Sequence, residues 1–184
     1  LQRANTTDTR RRVRKMGADA TIAWAEALPV EVRPVVFQRL ASAIAEVEPL
    51  KAAAFAERHL ESHQVRWLPR RVGTRWAKSD PQAAMEWLST LPAGSQRDDG
   101  VAETYRRWLR VDAAGARTWI SQLEFGEGQR WVEPAVALYG LNIALTSPRE
   151  AADFVNRHIM DPELKPGAVA SPVRYWDCLL YTSP

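Results

Sequence analysis

The chain has 184 residues, of which 46% are hydrophobic and nine are glycine, a composition that excludes an intrinsically disordered protein. No apolar run approaches the roughly 20 residues that cross a bilayer, so no membrane-spanning segment is expected. The net charge of +3 arises from residues 1–17, which hold six basic residues and one acidic residue; the other 19 basic and 21 acidic residues leave a net charge of −2. A nearly neutral body disfavours nucleic acid as a partner.

Residues 1–17 are expected to be the last helix of a preceding repeat. Val13 lies 31 residues before Ile44, which has an equivalent place in a later unit, and Val13 and Met16 are expected to face the core. The basic run "TRRRVRKM" is then the exposed side of a helix, although such a run also suits an anionic surface. The repeat array is expected to extend beyond both ends of the chain.

From residue 18 onward, an aromatic residue with a small residue three positions before it returns at an almost fixed interval. These aromatic anchors are spaced 31, 32, 32 and 35 residues apart: Trp24, Phe55, Trp87, Trp119 and Phe154. A second set of anchors runs in parallel, with spacings of 32, 32 and 35 residues: Ile44, Trp76, Trp108 and Ile143. Two sets with matching spacings predict a repeated structural unit.

Each unit is predicted to be a pair of helices joined by a short turn. The first helix starts after Asp80-Pro81, Asp112 or Ser147-Pro148, where a capping side chain precedes the first helical residue. The second helix is expected at about residues 32–46, 64–78, 96–110 and 129–146, with Pro34, Pro69 and Pro134 near its first turn. The predicted units are residues 18–47, 48–79, 80–111, 112–146 and the incomplete 147–159. Stacking would bury their apolar faces in one continuous core.

The stretch "SDPQAAMEW", in which Asp-Pro shortly precedes a helical Trp, resembles the tetratricopeptide-like α/α repeats. The resemblance covers about residues 18–159 and concerns architecture, because "WLSTL" places three residues between Trp and Leu and no Gly follows. It implies an all-α, right-handed α-solenoid of about five helix-turn-helix repeats with a period of about 32 residues. It also implies a concave wall that is lined by the first helices and holds peptides.

The predicted inner wall is a polar, mildly acidic stripe on the first helices. The candidate groove-lining residues are Asp19, Glu26, Glu57, Gln82, Glu86, Ser89, Thr118, Ser121, Asp153 and Asn156. Arginines cluster on the second helices instead. An acidic groove favours a protein or peptide partner of basic or amphipathic character, while the simpler alternative is a solvated helix face.

No pattern indicates catalysis, a cofactor or a small-molecule substrate, so a non-catalytic binding or scaffolding module is the leading hypothesis. His59 and His63 have the spacing of two zinc ligands, but a third ligand is missing, and a half-buried structural histidine at a helix end is favoured. Trp67 and Trp131 lie outside the anchors and are the better candidates for exposed aromatic contacts. The alternatives are single-stranded nucleic-acid binding through the Arg-rich second helices, and a scaffold whose catalytic part lies outside this chain.

The C-terminal residues depart from the repeat. Residues 160–173 are rich in proline and glycine and are predicted to form a loop, before a further helix that would start by residue 177. The terminal "CLLYTSP", residues 178–184, resembles a translated sequencing-adapter end. The chain is therefore expected to be a fragment, whose compartment the sequence does not indicate.

Overall fold

The computed structural model describes residues 6–170, and these are entirely helices and connecting turns without any strand. The prediction of an all-α protein is confirmed. The α-helices are α1 (Thr6–Met16), α2 (Ala18–Glu26), α3 (Arg33–Ile44), α4 (Pro49–Arg58), α5 (Leu68–Trp76), α6 (Pro81–Ser89), α7 (Ser95–Val111), α8 (Ala113–Ser121), α9 (Glu133–Ala144) and α10 (Pro148–His158). Short 3₁₀ helices occupy His63–Val65 and Glu127–Val132, and residues 164–170 are also helical.

The starts of the helices follow the local signals in the sequence. The Asp80 carboxylate accepts a hydrogen bond from the Ala83 amide at 3.0 Å, and Asp112 accepts one from the Gly115 amide at 2.9 Å. These bonds satisfy amides that have no partner inside the helix. Ser147 occupies the same position before α10, but its side chain makes no capping hydrogen bond.

Prolines determine where three of the second helices begin. α3, α5 and α9 each begin one residue before Pro34, Pro69 and Pro134 respectively. Proline has no amide donor, and inside a helix its ring clashes with the carbonyl of the residue four positions before it, so it is tolerated only in the first turn. α5 and α9 therefore begin four residues later than the sequence predicted, and 3₁₀ turns precede them.

The regular interval of the sequence recurs in the positions of the first helices. These helices start at residues 18, 49, 81, 113 and 148, at intervals of 31, 32, 32 and 35 residues. The small residue that precedes each aromatic anchor is fully buried, with 0% exposure, in all five cases: Thr21, Ala52, Ala84, Ala116 and Ala151. A small side chain at this position lets neighbouring helices approach closely.

The chain forms two compact units, residues 1–104 and 105–184, which we call the N-terminal and C-terminal units. In the N-terminal unit, α3 packs against α1, α2, α4 and α5, and α5 packs against α6. Phe37, Leu40, Phe55 and Leu88 lie in its core with at most 2% exposure. The Trp76 and Trp87 rings pack with centroids 6.1 Å apart.

The C-terminal unit contains a matching pair of rings, because the Trp108 and Trp119 centroids lie 5.3 Å apart. These residues lie 32 positions after Trp76 and Trp87. Tyr105 is fully buried and donates its hydroxyl to the Ala116 carbonyl at 3.1 Å; burial raises the pKa of this phenol. α9 packs closely on α10, where Gly140 lies against the Val155 side chain.

Two expectations about the chain ends are wrong. Val13 is buried as predicted, but Met16 is 48% exposed and does not face the core. The predicted loop over residues 160–173 is helical at residues 164–170. Asp161 accepts hydrogen bonds from the Glu163 and Leu164 amides and so caps this helix, and proline is tolerated in a first turn. The adapter-like residues 178–184 lie outside the described residues.

Candidate binding surface

The predicted groove-lining residues are largely accessible to solvent. Glu26 and Ser89 are half-buried, and the others are exposed: Asp19, Glu57, Gln82, Glu86, Thr118, Ser121, Asp153 and Asn156. The first six in chain order, through Ser89, belong to the N-terminal unit, and the last four belong to the C-terminal unit. Each set is described within its own unit.

In the N-terminal unit, Lys51 on α4 forms an ion pair with Asp19 of the acidic stripe on α2. Its Nζ atom lies 2.7 Å from Asp19 Oδ2 and 2.8 Å from Glu48 Oε2. The hydrogen bonds to Asp19 and Glu48 raise the pKa of Lys51 to about 12. The positive charge of α4 therefore lies beside the acidic stripe, and the local surface carries both signs.

Glu26 joins the same two helices at their other end. Its Oε1 atom accepts a hydrogen bond from Arg58 Nη2 at 3.2 Å and lies 3.1 Å from His59 Nε2. The His59 ring also packs against Phe37 and Phe55, with centroids 4.8 and 5.0 Å away. His59 is thus the half-buried histidine at a helix end that the sequence favoured over a zinc ligand, and His63 lies exposed in the following 3₁₀ helix.

A cavity of about 230 Å³ lies between α2 and α4. Two of its lining residues, Asp19 and Glu26, are predicted groove-lining residues, and Ala23 and Ala54 also line it. Ile22, Lys51 and Arg58 complete the lining. The cavity therefore has a small apolar floor and a rim of paired charges.

The stripe continues through Glu57 to α6. Glu57 accepts a 2.7 Å hydrogen bond from the indole Nε1 of Trp87, so this carboxylate satisfies the polar atom of a buried aromatic anchor. Gln82 donates to Glu86 at 3.0 Å along α6. Glu57 is thus both an exposed acid and a structural partner, whereas Glu86 is bonded only within its own helix.

In the C-terminal unit, the predicted stripe residues make only local contacts. Ser121 donates its hydroxyl to the Thr118 carbonyl at 2.8 Å, and Asp153 and Asn156 are exposed on α10.

A larger cavity of about 570 Å³ in the C-terminal unit was not predicted. Phe125 and His158 form one wall, with ring centroids 4.1 Å apart. Burial and the nearby Arg157 lower the pKa of His158. The buried Glu133 accepts a hydrogen bond from the Asp161 amide at 2.8 Å, and its Oε1 atom lies 3.5 Å from Arg130 Nε. The cavity lining therefore contains both cations and carboxylates.

A cluster of cations around Glu46 was also missed, although the sequence showed that the second helices are rich in arginine. Glu46 Oε1 lies 3.1 Å from Arg10 Nη2, 3.1 Å from Arg75 Nη1 and 3.9 Å from Lys78 Nζ. One carboxylate is therefore shared by three cations in the N-terminal unit. Sequence spacing could not reveal this convergence, because the residues come from separate segments of the chain.

The described residues contain no helix long and apolar enough to span a bilayer, and no group of three or more His, Cys, Asp or Glu side chains placed to hold a metal ion. No family model matches the chain, and neither the curated proteins nor the solved structures include a significant match. The residues that the structure describes, 6–170, define an all-helical protein.

Proposed function

We propose that the protein is a non-catalytic, peptide-binding module of stacked helical hairpins, and that the surface formed by α2, α4 and α6 binds the peptide. The cavity of about 230 Å³ carries this proposal, because its lining combines small and charged side chains from α2 and α4. Its small side chains leave room for a partner residue, and its paired charges offer directional polar contacts.

Contacts between side chains one repeat apart support a stacked arrangement. Lys51 bonds to Asp19 and Arg58 bonds to Glu26, each across 32 residues of sequence, while Trp87 bonds to Glu57 across 30. These three contacts are those expected if the first helices of the N-terminal unit are stacked one repeat after another. A right-handed α-solenoid extends this arrangement to about five repeats.

The charges of this surface favour an amphipathic peptide. Lys51 and Arg58 balance Asp19 and Glu26 at the cavity, whereas α6 adds Glu86 without a cationic partner in an ion pair within the described residues. A partner with an apolar residue for the cavity and a basic residue for α6 matches this distribution.

A random peptide library displayed on phage tests the proposal, with Ala54→Trp as the blocking variant. Ala54 is exposed and lines the cavity, so an indole there fills the space without entering the core. Amphipathic basic peptides should be enriched by the unmodified protein and lose at least tenfold in affinity for Ala54→Trp. Glu86→Lys should weaken the basic peptides specifically.

Ala20→Trp is the matched control, because Ala20 is an exposed alanine of α2 that does not line the cavity. Peptide binding should be unchanged in this variant. Equal binding to all three variants, or no enrichment from the library, would remove this surface from consideration.

A further inference from the structure

Positive charge is concentrated where α1, α3 and α5 pack together in the N-terminal unit. Arg10 from α1, Arg75 from α5 and the following Lys78 all converge on Glu46, and these side chains remain 28–45% exposed. A single carboxylate cannot neutralise three cations, so this group of four side chains keeps a net positive charge. We use the name α5 basic face for the surface formed by Trp67, Arg71, Arg75 and Lys78 together with Arg10 of α1.

Arg71 intensifies this charge. It is half-buried, and neither Arg71 nor the adjacent Arg70 makes an ion pair with any described residue. Burial, followed by the nearby charges of Arg75 and Arg70, lowers the pKa of Arg71. Holding a partly desolvated guanidinium beside two other cations costs free energy that a bound anion would recover.

The side chains of this face are aligned along α5. Trp67, Arg71, Arg75 and Lys78 are spaced by four, four and three residues, which places them on one side of a helix. The adjacent side, about 100° around the helix axis, carries the buried Leu68, Val72 and Trp76. Since a helix rises 1.5 Å per residue, the cations from Arg71 to Lys78 extend over roughly 10 Å.

Trp67 supplies an aromatic surface at one end of this line. Its side chain is half-buried, and it packs against no other ring in the described part of the chain. Trp131, the other tryptophan outside the anchors, is instead packed against Trp119 at 6.3 Å. An unstacked indole beside a row of cations is the combination that single-stranded nucleic acids engage, with phosphates on the cations and a base on the ring.

We propose that the α5 basic face binds single-stranded RNA or DNA through its backbone, with one base stacked on Trp67 and without preference for sequence. An acidic peptide would use the cations equally but would gain little from Trp67. The interaction is independent of the proposed peptide surface, because it uses side chains of α1 and α5 and not those of α2 and α4. The nearly neutral composition after residue 17 does not reveal this face, because a charge total does not show where cations converge.

The test measures the fluorescence anisotropy of labelled oligo-dT and oligo-rA against salt concentration, using the full chain. Contacts from Arg10, Arg71, Arg75 and Lys78 predict a slope of log K against log salt of about −3, at about −0.7 per phosphate. Arg71→Gln and Lys78→Gln should each reduce the slope by about 0.7. Trp67→Leu should lower the affinity about tenfold and leave the slope unchanged.

Arg149→Gln provides the control, since it removes one positive charge from an exposed position of α10 in the C-terminal unit. This variant should retain the full affinity and slope, and circular dichroism should show that every variant keeps its helices. The proposal is overturned if oligonucleotides do not bind at low salt, or if Arg149→Gln weakens binding as much as Arg71→Gln. It is also overturned if polyglutamate binds as tightly as oligo-dT and Trp67→Leu has no effect on either.

Discussion

Individual carboxylates serve different purposes in the N-terminal unit, although they look alike in the sequence. Glu57 satisfies the Trp87 indole, Glu26 joins Arg58 to His59, and Glu46 is shared by three cations. Helical periodicity predicted that Glu26 and Glu57 lie on a polar face, because it depends only on spacing along one helix; Glu57 is exposed and Glu26 is half-buried. Periodicity could not assign their partners, since those lie on or beside other helices and depend on how the helices pack against each other.

Helix capping gives a comparison between two first helices of the C-terminal unit. Asp112 accepts a hydrogen bond from the Gly115 amide, whereas the Ser147 side chain makes no capping bond. Asp112→Ala should therefore lower the free energy of unfolding by about 1 kcal/mol, and Ser147→Ala by only a few tenths. Urea denaturation followed by circular dichroism measures both, and equal losses would contradict the difference in capping.

The lowered pKa of His158 predicts a loss of stability on acidification. Because the ordinary pKa of 6.5 falls when the chain folds, the folded state binds fewer protons than the unfolded state as the pH drops through this value. The free energy of unfolding should thus decrease below about pH 6.5 and be unaffected above it. Arg157 contributes to the shift, and Arg130, Glu127 and Glu133 line the same cavity.

His158→Phe should remove this part of the acid-side loss, because phenylalanine keeps the ring packing on Phe125 and Phe154 without a titrating group. Melting temperatures at pH 8 and pH 5.5 measure the difference. His63→Gln is the control, since His63 is exposed in a 3₁₀ helix. The explanation fails if His158→Phe loses as much stability between these pH values as the unmodified protein.

At the scale of helices, the sequence was most informative where a residue acts through its own backbone. The positions of Pro34, Pro69 and Pro134 determine where α3, α5 and α9 begin, because proline is tolerated in the first turn of a helix and not in its interior. The same chemistry misled the prediction at residues 160–173, where proline and glycine suggested a loop. The capping by Asp161 allows a helix there instead.

Gly140 tests the close packing of α9 on α10. A Cβ atom at this position would meet the Val155 side chain, whereas one at Gly167, in the helical residues 164–170, would meet nothing within 4 Å. Gly140→Ala should destabilise the protein by about 1–3 kcal/mol, despite the better helix propensity of alanine. Gly167→Ala should be neutral or stabilising by up to about 1 kcal/mol. Thermal denaturation compares them, and a stable Gly140→Ala would show that α10 can shift without cost.

At the scale of the whole molecule, the average composition and net charge predicted the fold class but not the location of the charged surfaces. The 46% hydrophobic content and the regular aromatic anchors suffice to predict a folded, all-helical chain with helices starting at a fixed interval. The near-neutral body suggested no polyanion partner, yet the N-terminal unit collects Arg10, Arg75 and Lys78 around one carboxylate. Averages lose this information because function depends on where charges converge in three dimensions.

The division into two units predicts that a destabilising substitution in one unit lowers hydrogen-exchange protection in that unit and not in the other. If the molecule is a row of repeats that are stabilised mainly by their nearest neighbours, Gly140→Ala should lower the hydrogen-exchange protection of α9 and α10 and leave α3 to α6 unchanged. Leu88→Ala, which empties a fully buried site beside Gly73 and Gly100, should lower protection in α5 and α6 but not in α10. Mass spectrometry of exchanged peptides resolves these helices separately. A uniform loss of protection in both variants would mean that the chain unfolds as one cooperative domain, and the nearest-neighbour description would then be wrong.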